Sequence, residues 1–455
     1  MKKITIFVPV VLVIFLLLGG CAEKPVSLDL TAEYVINAAL EPEEKRLTYT
    51  QEVTVTNCSD ESVDELYFHL YGNYYATKDE RISVLSVTDG DGGKLSYKLS
   101  DGDQLCRVKL GRPLTAGGEA ILCFSCDVTI PVLTHMYGVG RDGEIQMPFF
   151  YPQLAVCDEN GWDKDPLNGV VDGRYAEMAD YTLVIAAPEE YELAANGAEI
   201  SRVTENGLTT YTFEAERRRD LIFIAWNNYE RMERTIGNTR ILGCFSSERT
   251  TQEDMEKVMD AAVFALEFFN ETYVEYPYET LVMTTTAWAT KSMPISMEYS
   301  GFVTLARGCE EYAVFHELAH QWFYFLIGND ENAEPWLDES FADYSAMLCA
   351  EHFGLDMSNV LEVYSMMSDD SSGFSLDSAY DEPDYASALD LFYARGMFFL
   401  RELETAIGQE SFLELLSGYC NKYLFHNVTT EDFFSYLREQ SAVDVEEIIG
   451  RYFWK

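Results

Sequence analysis

The stretch from His316 to Glu339, HELAHQWFYFLIGNDENAEPWLDE, constrains this 455-residue chain more than any other. It begins with the pattern H-E-x-x-H. Residues four apart on a helix lie on one face, so His316 and His320 can present both imidazoles to one ion. Glu339 follows in a second segment of helical periodicity. Catalytic zinc takes three protein ligands and keeps one position open. The pattern therefore requires two helices that meet at a single zinc site, with His316, His320 and Glu339 as ligands.

Glu317 stands next to the first of these ligands on the same helix. A carboxylate in that place can take a proton from water without ligating the ion, which is general base catalysis. The competing interpretation is a surface helix that carries H-E-x-x-H by chance. Only six histidines occur in the chain, and a correctly placed glutamate follows two of them, so the zinc site is the stronger hypothesis.

The charge balance is strongly acidic, with 77 Asp and Glu against 32 Lys and Arg and a formal net charge of −45. Binding to nucleic acid depends on cationic contacts to phosphate, so nucleic acid is excluded as the main partner. An acidic surface could favour cationic peptides, although solubility alone accounts for most such charges. The aromatic share of 14% indicates a folded chain, and the length allows two or three domains.

Residues 1–20 are typical of an export signal. Lys2 and Lys3 precede an apolar run from Ile4 to Leu18, which is too short for a comfortable membrane span. The run ends in LGGC, which resembles the lipobox of bacterial lipoproteins. That resemblance implies a mature chain that begins at a lipid-modified Cys21 and is anchored on the extracytoplasmic face of the membrane in a bacterial cell envelope. An ordinary signal peptide or anchor helix is the alternative.

The periodicity of apolar residues changes once along the chain. Residues 27–237 alternate with period two, as from Leu47 to Val55, and are separated by glycine-rich turns. From 238 to 455 helical spacing dominates, as in Met255–Asn270. The sequence therefore predicts a multidomain α+β protein, in which an antiparallel β domain (27–237) precedes a mainly helical domain (238–455).

HELAHQW followed by WLDESFADY resembles the aminopeptidase N family of gluzincin zinc metallopeptidases. Further stretches resemble the same family over most of the mature chain, namely Leu66–Tyr71, Ala265–Phe269 and Thr429–Trp454. The resemblance implies a thermolysin-like catalytic domain, one zinc ion per chain and peptide substrates. The family continues with a small β domain and a long helical domain that this sequence does not show, so we expect a more open site.

Two more functional positions follow from the resemblance. Ile295–Tyr299, ISMEY, matches the family's G-A-M-E-N motif, which implies that Met297 and Glu298 bind substrate and that Glu298 holds its free α-amine. Ile295 replaces the first glycine of that motif, and Tyr299 replaces its asparagine. Tyr393, in the sequence FYARG, matches the family's Y-x-K-G, with arginine in place of lysine. The resemblance implies that its hydroxyl supports the oxyanion of the reaction.

The sequence thus predicts a zinc peptidase that removes N-terminal residues, with Glu317 as general base and Tyr393 as oxyanion donor. A zinc endopeptidase with an open cleft remains an alternative, because the exopeptidase motif is altered at both of its ends. From another class of function, a catalytically inactive surface protein that binds peptides on a peptidase fold is also compatible with the sequence.

Overall fold

The computed structural model describes residues 27–132, 136–140, 143–167, 173–246, 250–285, 296–306, 308–370, 373–379 and 385–454. The predicted signal peptide and lipidation site, Cys21, lie outside the described residues, and so does Ile295. Across the described ranges, every helix is too short or too polar to cross a membrane.

The first region of the chain is built from strands. They are β1 (Leu30–Glu41), β2 (Arg46–Asn57), β3 (Val63–His69), β4 (Ile82–Asp89), β5 (Ser96–Ser100), β6 (Leu105–Leu114), β7 (Glu119–Thr129), β8 (Gly138–Val139), β9 (Ile145–Pro148), β10 (Gln153–Leu154), β11 (Cys157–Asp158), β12 (Gly161–Trp162), β13 (Ala179–Pro188), β14 (Glu192–Ala195), β15 (Ala198–Glu205), β16 (Leu208–Arg218) and β17 (Ile222–Trp226). A short 3₁₀ helix, Tyr71–Tyr75, follows β3.

A seven-stranded sheet with the order β15-β16-β13-β1-β2-β7-β4 is the base of this region. In β1, Tyr34 and Ile36 are buried while their neighbours face solvent, because alternate side chains of a strand point to opposite faces. The inward residues pack against the four-stranded sheet β10-β3-β6-β5 in one core. Neighbouring strands of the seven-stranded sheet run antiparallel, except for β1 and β13, which run parallel. Alternation within each strand could not reveal that long-range pairing.

A second group of strands leads towards the catalytic region. They are β18 (Glu230–Ile236), β19 (Thr239–Phe245), β20 (Thr280–Thr285), β21 (Met297–Tyr299) and β22 (Phe302–Leu305). They form one sheet with the order β18-β19-β20-β22-β21, so β21 is an edge strand. The boundary predicted between residues 237 and 238 cuts the β18–β19 hairpin. Because both strands of that hairpin belong to this sheet, the second region begins at Glu230. Burial alternates along β18, whereas β19 is buried over most of its length, and the predicted boundary placed the two strands on different sides.

The helices of the second region are α1 (Gln252–Thr272), α2 (Glu311–Ala319), α3 (Trp336–Phe353), α4 (Ser358–Asp370), α5 (Tyr385–Leu389), α6 (Gly396–Ile407), α7 (Gln409–Tyr423), α8 (Thr430–Gln440) and α9 (Glu446–Tyr452). Thr251 starts α1 with a capping box to Asp254, and Gly354 ends α3 in the left-handed conformation at φ 93°. The fold is α+β with more than one domain, as the sequence predicts.

One predicted helix is interrupted. The periodicity of Ser387–Ile407 predicts a single helix, whereas the structure has α5, a π-helical turn from Asp390 to Arg395, and α6. Gly396 follows the turn and packs so closely on α3 that a Cβ there would lie 1.7 Å from Ser340 Oγ. A π-helical turn is an irregularity that often marks a functional site, and apolar periodicity does not register it.

Candidate active site

Helices α2 and α3 bring the three predicted zinc ligands together. His316 lies in the last turn of α2, and His320 is its C-terminal cap. The two Nε2 atoms are 3.1 Å apart. Glu339, in the first turn of α3, places Oε2 3.4 Å from His316 Nε2 and 3.6 Å from His320 Nε2. Two imidazole nitrogens and one carboxylate oxygen therefore converge on a single point.

Each imidazole also contacts an aspartate carboxylate through Nδ1, the ring nitrogen on the side away from the ligand atom. His316 Nδ1 lies 2.9 Å from Asp343 Oδ1, and His320 Nδ1 lies 2.5 Å from Asp338 Oδ1. These contacts favour the tautomer in which Nδ1–H donates to the carboxylate and Nε2 keeps its lone pair for a metal. Sequence analysis did not single out either aspartate. Their positions in α3 carry the signal that could have found them, since Asp338 precedes Glu339 and Asp343 follows it by one turn.

Three observations show that zinc fits these residues. The donor set of two imidazoles and one carboxylate is the type that zinc prefers, and the donor atoms lie within 4.8 Å of one another. Glu339 Oε2 is buried without a hydrogen-bond partner among the described residues. Finally, burial by itself lowers the pKa of His320, but Asp338 and Glu298 raise it to about 10. The surrounding carboxylates thus favour positive charge at this point, which a divalent cation supplies.

Glu317 lies on α2 beside the ligands and is buried. Burial raises the pKa of its carboxyl well above the usual range, and His316 counteracts part of that effect. Its Oε2 has no hydrogen-bond partner in the described part of the chain. A buried carboxyl whose pKa is raised and whose oxygen is not engaged is suited to accept and release a proton near neutral pH.

Tyr393 reaches the ligand set from the π-helical turn. Its ring stacks on that of His316 with centroids 5.7 Å apart and planes 18° from parallel, and its hydroxyl donates to Glu339 Oε1. Ser340 Oγ donates to the carbonyl oxygen of Phe392 at 2.6 Å, which fixes the turn on α3. The structure therefore places the Tyr393 hydroxyl at the edge of the candidate zinc site.

Glu298 approaches from the edge strand β21. Its carboxylate forms a group with His320 and Asp338 in which the oxygen and nitrogen atoms lie within 4.8 Å of one another. Met297 precedes Glu298, and successive side chains of a strand point to opposite faces. The side chain of Met297 is accordingly buried in a separate apolar cluster that includes Phe302. Of the two predicted substrate-binding side chains, the structure brings Glu298 to the zinc ligands and turns Met297 into the core.

Gln321 connects the end of α2 to β21. Its Oε1 accepts from Gly301 N at 2.8 Å, and its Nε2 donates to the carbonyl oxygen of Tyr299 at 3.0 Å. Trp322 is fully buried and donates from Nε1 to the carbonyl oxygen of Val274 at 2.8 Å. The Gln321 bonds connect the end of α2 to the segment that carries Glu298, and the Trp322 bond connects it to the chain that follows α1.

Sequence analysis also missed Arg174 and Glu331. Arg174 is buried and donates from Nη2 to both Glu298 Oε1 and Glu331 Oε1. It lies between β12 and β13, and Glu331 lies between α2 and α3, both in segments without regular secondary structure. Such segments have no periodicity, so the sequence carries no pattern that would have joined these residues to the site.

The fold and the convergent ligand set are similar to those of gluzincin zinc metallopeptidases. Residues 257–452 match the model of the peptidase family M1 domain. This match, together with the relatives described next, supports an aminopeptidase N-type gluzincin.

The relatives differ in how much of this chain they match. It is 25% identical over 301 residues to aminopeptidase M1-B of Oryza sativa subsp. japonica, covering 60% of this chain and 34% of that protein. It is 22% identical over 411 residues to aminopeptidase N of Lactobacillus delbrueckii subsp. lactis, covering 81% of this chain and 46% of that protein. The chain thus spans less than half the length of either relative.

The fold is shared with solved structures over nearly the whole chain. An M1 zinc metallopeptidase from Deinococcus radiodurans superposes with a TM-score of 0.70 at 20% identity and covers 93% of this chain and 94% of that one. A mutant of that enzyme bound to a Tyr-Ser-Ala substrate superposes with a TM-score of 0.69 at 20% identity, with the same coverage. At this identity the likeness concerns the fold.

Proposed function

We propose that the protein is a zinc-dependent aminopeptidase. One observation carries the proposal: a buried Glu317 lies beside the convergent zinc ligands, and an acidic side chain, Glu298, stands within 4.8 Å of a ring nitrogen of His320. Glu317 provides the base for hydrolysis. Glu298 provides an anchor for the positive charge of the substrate's α-ammonium, one residue from the bond that is cut. The names of the rice and Lactobacillus relatives, and the tripeptide bound to the Deinococcus mutant, support the same activity.

In this proposal each side chain has one task. When bound, zinc polarises the scissile carbonyl and lowers the pKa of water. Glu317 takes a proton from the attacking water and returns it to the leaving amine, so its carboxylate is regenerated in each cycle. The Tyr393 hydroxyl donates to the developing oxyanion. Glu298 accepts hydrogen bonds from the substrate's α-ammonium, which sets the cut after the first residue.

The test of the hydrolytic step is Glu317→Gln. We expect the variant to retain one zinc per chain by elemental analysis and to lose most of its activity on aminoacyl-fluorophore substrates, by about 10²–10⁴-fold. Glu310→Gln is the matched control, because Glu310 is exposed at the start of the same helix and makes no side-chain capping bond. A Glu317→Gln variant that turns over at the rate of the parent would exclude the proposed base.

The position of the cut is tested with a peptide and its N-acetylated twin. We expect faster cleavage of the free-amine peptide, and mass spectrometry should show loss of the first residue. The second candidate function is endopeptidase activity. It is favoured by the hydrogen bond from Arg174 to Glu298 Oε1, which occupies part of the proposed anchor. Equal cleavage of both peptides would support the endopeptidase and reject the aminopeptidase.

We further propose that the protein is a lipoprotein of a bacterial cell envelope, exported by residues 1–20 and anchored through Cys21 on the extracytoplasmic face of the membrane. The proposal is supported by the basic residues, apolar run and LGGC sequence at the start of the chain. The test is metabolic labelling with a fatty-acid analogue. The parent should carry the label in the membrane fraction, whereas Cys21→Ser should not, and an unlabelled parent would reject the anchor.

A further inference from the structure

A buried ionic cluster joins the β region to the candidate active site. Its centre is Arg174, whose surface is only 2% exposed. Its guanidinium faces acidic residues from three separate segments of the chain. They are Glu298 on β21, Glu331 between α2 and α3, and Asp220 between β16 and β17. The Asp220 carboxylate is the most distant of the three, with Oδ2 4.0 Å from Arg174 Nη1.

Glu331 accepts from Arg174 with both of its carboxylate oxygens. Its Oε2 accepts from the backbone nitrogen of Arg174 at 2.7 Å and from Nε at 3.2 Å, and its Oε1 accepts from Nη2 at 3.1 Å. This is a bidentate pairing of a guanidinium with a carboxylate, which fixes orientation as well as distance. The aromatic ring of Tyr324 packs on the guanidinium with its centroid 5.0 Å away. The position of Arg174 is therefore determined on several sides.

The same Nη2 atom also donates to Glu298 Oε1, and Nη1 lies 3.4 Å from the carbonyl oxygen of Glu298. Arg174 thus donates to both the side chain and the backbone carbonyl of Glu298, the proposed amine anchor. One guanidinium faces two carboxylates at hydrogen-bonding distance. When both carboxylates are ionised, Arg174, Glu331 and Glu298 together carry one net negative charge, because a single guanidinium is shared by two carboxylates.

We propose that Arg174 and Glu331 are a positioning pair that orients Glu298 and preserves its negative charge for the α-ammonium of the substrate. Arg174 holds Oε1 of Glu298 in place, and Glu331 keeps Arg174 from neutralising it. This inference rests on the proposed aminopeptidase function. It makes the choice of substrate depend on a residue from the β region and on another from the loop between α2 and α3, neither of which touches the reacting atoms.

The test compares the parent, Glu331→Gln and a matched control on a free-amine peptide and its N-acetylated twin. Glutamine at 331 keeps the size of the side chain but removes its charge, so among the described residues Glu298 becomes the carboxylate nearest to the guanidinium of Arg174. The control is Glu334→Gln, which removes a carboxylate of the same loop that accepts from Thr430 N and is not bonded to Arg174. Zinc content per chain is measured for all three proteins.

For Glu331→Gln we expect KM for the free-amine peptide to rise about tenfold or more, with kcat and zinc content nearly unchanged. Cleavage of the acetylated twin should not change, so the ratio of kcat/KM between the two peptides should fall by the same factor. A structural defect would instead lower kcat for both peptides and leave the ratio intact. The Glu334→Gln control should keep the ratio of the parent.

Arg174→Lys keeps a cation but loses the bidentate geometry, so its ratio should fall between those of the parent and Glu331→Gln. If Glu331→Gln does not fold, Arg174→Lys decides the question, since a ratio equal to that of the parent overturns the proposal. Calorimetry in the Glu317→Gln background, where cleavage should be slowed by about 10²-fold or more, gives an independent readout. The free-amine peptide should bind more weakly when residue 331 is also replaced, and the acetylated twin should not.

The outcomes distinguish the positioning pair from the aminopeptidase function on which it rests. A parent that prefers the free amine, with a Glu331→Gln variant of unchanged ratio and affinity, overturns the positioning pair and leaves the aminopeptidase intact. A parent that cuts both peptides equally rejects the aminopeptidase, and the positioning pair with it.

Discussion

Replacement of Gly396 by alanine tests how tightly Tyr393 is positioned. An alanine Cβ would lie 1.7 Å from Ser340 Oγ and 2.5 Å from Ser340 Cβ, far inside van der Waals contact. Ser340 cannot simply rotate away, because its hydroxyl donates to the carbonyl oxygen of Phe392 at 2.6 Å. Either α3 and α6 must separate by about an ångström, or the hydrogen bond that fixes the π-helical turn must break.

The expected magnitude follows from these contacts. Overpacking of a core costs about 1–3 kcal/mol, and a lost buried hydrogen bond adds about 1 kcal/mol. A total of about 2–4 kcal/mol in a domain of this size should lower Tm by about 4–16 °C. Since Tyr393 is on the same turn, its hydroxyl should move as well. A displacement of about an ångström at a reacting group can cost about 10²-fold in rate, so we expect kcat to fall by about 10–100-fold.

The assay is thermal unfolding together with kcat on an aminoacyl fluorophore. Gly450→Ala is the matched control, because Gly450 lies in helix α9 and a Cβ there meets nothing within 4 Å. It should be neutral or slightly stabilising. In the double variant Gly396→Ala with Ser340→Gly the clash is relieved but the hydrogen bond to Phe392 is lost, so kcat should recover only in part relative to Gly396→Ala alone. Stability and kcat at the parent's level in Gly396→Ala would refute the packing argument.

The remaining predictions concern zinc and pH. Asp338→Asn removes the carboxylate behind His320, so zinc affinity measured by competition with a chelator should fall about 10–100-fold, while Asp432→Asn, a substitution in a distant helix cap, should leave it unchanged. Burial, with help from Asp163, raises the pKa of Asp330 from 3.8 to about 7, so between these values the folded chain holds a proton that the unfolded chain has lost. Stability should therefore fall as pH rises through this window, and Asp330→Asn should flatten the dependence of Tm on pH between about 4 and 7; an equally steep profile would contradict the assignment.

The sequence was most informative where chemistry demands a fixed spacing. His316 and His320, four apart on one helix, can share an ion, and Glu339 follows in a second helical segment, so the pattern predicts that α2 and α3 meet. The structure brings one donor atom of each of these three residues within 4.8 Å of the others. Short-range periodicity was equally useful for single elements, as in α1, which is predicted over Met255–Asn270 and extends from Gln252 to Thr272.

What the sequence could not provide depends on long-range or irregular contacts. The parallel pairing of β1 with β13 joins segments far apart in the chain. The alternation of apolar residues within a strand does not show which strand lies next to it. The spacing of Asp338 and Asp343 from Glu339 is visible in the sequence, but their burial and their contacts with the imidazoles are not. Arg174 lies in a segment without helix or strand, where no pattern predicts that a cation will meet Glu298.

The site is assembled from two parts that the fold supports differently. His316, Glu317, Glu339 and Tyr393 are carried by α2, α3 and the π-helical turn, which pack into one continuous hydrophobic core. Glu298 is instead held on an edge strand by contacts from other segments, among them Arg174. If the two parts also have separate functions, a substitution in one part should change its own function and leave that of the other part unchanged. Asp338→Asn should weaken zinc without altering the preference for a free amine, and Glu331→Gln should alter that preference without weakening zinc. Substrate discrimination could then change through segments that leave the hydrolytic machinery untouched.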